Sequence, residues 1–197
     1  MTDTQIVKDT LGLNPMRGKH YRFEWFNTAD ASTHSFAFGG DSLAAVADAV
    51  HQGKIGVAVN AAIPAKALYL PKRHTIPGVG ALPANHFILS RAMTTGINDQ
   101  MVIVHEGTHA LCDMRANVMN ALFAEIVAYV VQSLYHRVRM NSGFRHGAMY
   151  TAADDVAQAL LDSRTPAPAD LELMGTEIEA VSDYADYRSR TTDYNGL

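Results

Sequence analysis

Two stretches of helical periodicity between residues 98 and 138 constrain this chain most, because each is largely apolar yet carries ionisable side chains. In the first, with Asn98 or Asp99 as its cap, Met101, Val102, Val104, His105, Thr108, His109, Leu111 and Cys112 recur at spacings of three and four. In the second, from about Asn117 to Val138, Leu122, Phe123, Ile126, Val127, Val130, Val131 and Leu134 cover nearly the whole circumference of a helix, which places it centrally. An unpaired charge on such a helix is costly. Its acidic residue, Glu125, therefore needs a partner.

The run His105-Glu106-Gly107-Thr108-His109 supplies a chemistry that Glu125 can join. Residues i and i+4 share a helix face, so His105 and His109 can place two imidazole nitrogens on one metal ion, and zinc accepts neutral imidazole readily. Glu106 is offset from both around the helix and can face a metal-bound water as a general base. If the chain turns near Arg115 to Asn117, the second helix returns antiparallel at about 1.5 Å per residue. Residue 116 is midway between Gly107 and Glu125, so Glu125 comes back to the level of the histidines as a third ligand. The plainer alternatives are a solvated or buried histidine pair, and a Glu125 carboxylate held by an arginine or capping nearby backbone.

The run is the HExxH of the zincin metallopeptidases. With Glu125-Ile126-Val127-Ala128 on the second helix, residues 84–135 resemble the gluzincin branch. That resemblance implies an α+β fold: a small sheet packed on the HExxH helix and on an antiparallel glutamate-bearing helix. It implies one zinc ion on His105, His109 and Glu125, Glu106 as the catalytic base, and a peptide or protein substrate laid along an edge strand. His86-Phe87-Ile88-Leu89-Ser90 resembles that strand. The metzincin continuation is absent, since His109 is followed by ALCDMRANVMN. Asp113 points past the ion as a ligand and is expected to orient an imidazole N–H. The cysteine ligand of peptide deformylases lies upstream of their motif, whereas Cys112 lies downstream; it could approach the site or be a plain buried thiol. For the oxyanion donor, His146, Tyr150 and Tyr129 are candidates without a spacing to choose between them.

Elsewhere, Tyr21 to Trp25 alternate as a short strand, and Asp41 or Ser42 caps a helix ending near Gly53. Ile55–Val59, Ala67–Leu70 and His86–Leu89 are expected to form a small sheet, and Ala152–Leu161 a further helix. Residues 1–162 read as the metallopeptidase domain and 163–197 as a Pro-containing connector and polar tail packed on it. Asp183-Tyr184, Asp186-Tyr187 and Asp193-Tyr194 in that tail read as solvated surface, without chemistry. His20, His34, His51, His74 and His136 read as surface or core histidines. A formal charge of -4 without a Lys/Arg run argues against nucleic acid. One cysteine, no secretory signal and no apolar run near the ~20 residues of a membrane span suggest a cytoplasmic protein, with signal-independent export open. Two rival readings use the same residues: an inert zinc-stabilised binding or regulatory module, marked by a fourth ligand or the lack of a cleft, and a bacterial effector or toxin peptidase.

Overall fold

The computed structural model describes residues 1–181 and 184–196. Its elements run α1 (Asp3–Gly12), β1 (His20–Asn27), β2 (Ser32–Gly39), α2 (Asp41–His51), β3 (Gly56–Val59), β4 (Ala67–Leu70), β5 (His74–Ile76), β6 (Gly80–Leu82), β7 (His86–Leu89), α3 (Ile97–Met114), α4 (Ala121–Met140), α5 (Gly147–Leu161) and α6 (Pro168–Glu179), with a short 3-10 turn at Tyr187–Ser189. The fold is mixed α+β, with six helices and three small sheets among the described residues. Among the described residues no helix is long and apolar enough to cross a membrane.

The hairpin of α3 and α4 lies at the centre. Ala116 turns the chain with a left-handed φ of 48°, and Asn120 opens α4 by accepting the Phe123 N–H at 3.1 Å. Tyr135 near the end of α4 donates to Gln100 near the start of α3 at 2.8 Å, so the two helices run antiparallel. α3 starts at Ile97, with Gly96 in the cap position, rather than at Asn98 or Asp99. Asp99 lies inside the first turn and reaches back, accepting the Thr94 N–H and hydroxyl at 2.8 Å each and pairing with Arg91 at 2.5 Å. A side chain already inside the turn braces the preceding loop as the distal half of a capping box does.

The alternation at Tyr21 to Trp25 forms β1, which pairs throughout with β2, a strand the sequence reading missed. Its buried face seats on α4, where the Phe123 ring lies 5.9 Å from both Phe23 and Trp25. The three-stranded sheet has the order β3-β7-β4, with β7 parallel to β3 and antiparallel to β4. His86–Leu89 is thus the central strand, paired on both sides, and not the expected substrate edge. Phe87, Ile88 and Leu89 are all buried, as in a strand covered on both faces. The edge that meets α3 is β4, whose buried and half-buried residues alternate.

α1 carried no expectation, and α5 and α6 depart from theirs. Thr2 caps α1, which buries Ile6, Val7 and Leu11 against the core. α5 starts at Gly147 rather than Ala152. α6 begins inside the presumed connector, with Pro168 in its first turn, where a missing N–H costs nothing, and buries Leu171, Met174 and Ile178. The tail is not simply solvated: Asp186 and Asp193 are exposed, but Tyr194 is 7% exposed and belongs to the main core cluster. Asp183 lies outside the described residues.

Candidate metal centre

On adjoining turns of α3, His105 and His109 bring their Nε2 atoms to 3.3 Å. From α4, Glu125 sets Oε2 3.3 Å from His105 Nε2 and Oε1 3.5 Å from His109 Nε2. His105 and Glu125 are buried and His109 half-buried, and the three form a cluster that could hold a metal ion. Each ring is held from behind. His105 Nδ1 lies 3.2 Å from Gln132 Oε1, which is placed to accept a proton carried on Nδ1. His109 Nδ1 lies 2.7 Å from the Tyr194 hydroxyl. In the tautomer with the proton on each Nδ1, both Nε2 lone pairs face the Glu125 carboxylate. Burial pushes the Glu125 carboxyl up, but the neighbouring His109 and His105 imidazoles outweigh it and hold the group well below the usual carboxylate range. Glu125 Oε2 is buried with no hydrogen-bond partner among the described residues. A proton on an imidazole or a cation must offset this convergence.

Glu106 lines the same cleft as these three, offset around α3 from the two histidines. Its Oε2 accepts the Tyr69 N–H of β4 at 2.7 Å. Burial pushes its carboxyl up to about 7, against the lowering influence of His105 and the Tyr69 N–H; Glu125 adds to the rise. The four side chains line a cleft of about 360 Å³ whose other walls are β4, Pro71 and Lys72, and the tail from Arg190 to Tyr194, with Tyr184 and Tyr187. A larger groove of about 780 Å³ lies between β1 and residues 163–172 and contains none of the cluster. Convergent ionisable groups, not volume, pick out the smaller cleft as the site.

Asp113 does not orient an imidazole, as was expected. Fully buried, it accepts the Tyr69 hydroxyl at 2.8 Å and the Asn195 N–H at 2.9 Å, tying β4 and the tail to α3. The imidazole partners are Gln132 and Tyr194, one two turns beyond Glu125 and the other 85 residues from His109. Cys112 is buried outside the cluster, and burial pushes its thiol up to about 12. Of the oxyanion candidates, Tyr129 packs edge-on against His105 at 4.6 Å, Tyr150 against Tyr129 at 5.6 Å and exposed His146 against Phe144 at 4.6 Å. None of the three lines the cleft; Tyr184, Tyr187, Arg190 and Tyr194 do. The one signal for these in the sequence was an unusual density of tyrosine in a polar tail, since a buried tyrosine needs a partner for its hydroxyl. Compared with protein-family models, curated proteins and solved structures, the chain matches none.

Proposed function

We propose that the chain is a zinc-dependent peptidase of the gluzincin type, with His105, His109 and Glu125 as ligands and Glu106 as general base. One observation carries the reading: His105 Nε2 and His109 Nε2 lie 3.3 Å apart, and the two oxygens of Glu125 approach them to 3.3 and 3.5 Å respectively. Tetrahedral zinc with ligands at about 2.0–2.1 Å has edges of about 3.3–3.4 Å, which the two imidazole nitrogens already match, and a Glu125 oxygen lies close enough to complete the set. The donor set of two imidazoles and one carboxylate, opening onto a cleft, is that of a catalytic rather than a closed zinc site. It therefore favours an enzyme over an inert module. When bound, zinc supplies Lewis acidity toward a carbonyl and acidifies water.

The chain's own residues do the rest. Glu106 receives the proton of the attacking water and returns it to the leaving amine. The edge of β4 away from β7, where Glu106 already holds the Tyr69 N–H, offers its remaining backbone groups to an extended peptide, with Leu68 and Leu70 half-buried along the cleft wall. Glu106→Gln tests the assignment. It is expected to keep about one zinc per chain while peptide cleavage falls roughly 10²–10⁴-fold. Unchanged turnover would remove Glu106 from the mechanism.

A further inference from the structure

We infer that the C-terminal segment 184–196 is part of the metal centre, with Tyr194 as the residue that positions His109. This rests on the zinc reading above. For His109 to offer Nε2 to a metal, its Nδ1 must carry the proton, and the group placed to accept it is the Tyr194 oxygen at 2.7 Å. The tail is attached on both sides of that contact. Asn195 N–H donates to Asp113 Oδ1, one helical turn after His109 on α3, and Tyr69 OH donates to the other oxygen of the same carboxylate. Upstream, Ala121 N–H donates to the Arg190 carbonyl, Thr192 N–H to the Met119 carbonyl and Met119 N–H to the Thr192 hydroxyl. The segment therefore bridges the start of α4 and the end of α3, the two ends of the turn that sets Glu125 against the histidines.

One continuous path results. It runs from Glu106 through the Tyr69 N–H, along β4 to the Tyr69 hydroxyl, and on to Asp113, Asn195, Tyr194 and His109. Metal affinity and docking of the tail are coupled through it, and coupling is reciprocal. The Lys72–Asp193 pair at 2.8 Å also joins the tail to the end of β4, but both side chains are more than half exposed. Such a pair contributes little and serves as a control.

The test measures zinc affinity of the full-length chain by competition with a chelator, the melting temperature of the metal-free protein, and amide exchange at residues 192–195 with and without zinc. Tyr194→Phe keeps the ring and removes the hydroxyl. It is expected to weaken zinc roughly 10- to 100-fold, to alter the visible spectrum of the cobalt-substituted protein, and to leave metal-free melting nearly unchanged. Lys72→Ala is expected to bind zinc like the wild type. In the wild type, zinc is expected to slow exchange at residues 192–195, and in Tyr194→Phe less so. Wild-type zinc affinity in Tyr194→Phe would overturn the inference and leave the zinc reading standing. A wild type that takes up no zinc would overturn both.

Discussion

Gly107 has no side chain where α1 comes closest to the motif helix: a Cβ built there would lie 2.6 Å from Leu11 Cδ2, and Leu11 is fully buried. Alanine gains about 1 kcal/mol in helix propensity, against about 1–3 kcal/mol for overpacking a closed core. Gly107→Ala is therefore expected to lower stability to chemical denaturation by about 1 kcal/mol; a gain would show that α1 does not constrain α3 there. The same contrast of local and distant separates what could be read from the sequence. The relation of His105, Glu106 and His109 follows from helical spacing, and the return of Glu125 to their level follows from counting residues around a turn. The hydroxyl behind His109 comes from 85 residues away, and no local pattern points to it. Asp113 was placed on the right helix but given the wrong partner, because its contacts belong to β4 and the tail.

Among the elements, α3 is braced at its start by Asp99. Burial pushes this carboxyl up, but Arg91 and the Thr94 hydroxyl and N–H outweigh it and hold the group below its usual value. A carboxyl depressed in the folded state contributes stability that is present above the unfolded pKa of about 3.9 and is lost as pH falls toward the folded value, because the unfolded chain binds the proton first. Asp99→Asn is expected to be less stable at neutral pH, with the difference from wild type shrinking below about pH 4. Denaturant midpoints at pH 7 and pH 3 measure it, and a difference independent of pH would assign the effect to shape rather than charge. Long periodic elements such as α3 and α4 were legible within a few residues. The choice of β7 as the substrate edge was a misreading of available signal, since Phe87-Ile88-Leu89 is a continuous apolar run. The β5–β6 hairpin was missed because three-residue strands bounded by Pro and Gly carry little pattern of their own, whereas β2, eight residues long, was missed although Phe36 and Phe38 alternate in it.

At the scale of the whole molecule, the metal centre gathers α3 and α4, the β4 edge and the C-terminal tail around one point, so an ion bound there stabilises contacts distant in sequence. On the zinc reading proposed above, the ion at about a thousand times its dissociation constant is expected to contribute about 4 kcal/mol, or a rise in melting temperature of roughly 8–16 °C for a chain of this size. Glu125→Gln separates metal from packing. The amide keeps the shape of the carboxylate and can donate to a bare imidazole nitrogen, so the metal-free variant is expected to remain folded. The most direct measurement is a zinc titration of the full-length wild type and Glu125→Gln, read by calorimetry and by melting. The prediction is uptake of about one zinc per chain with a raised melting temperature in the wild type, and loss of both responses in the variant. No zinc uptake by the wild type, or uptake by Glu125→Gln equal to it, would contradict the assignment of His105, His109 and Glu125 as the metal ligands.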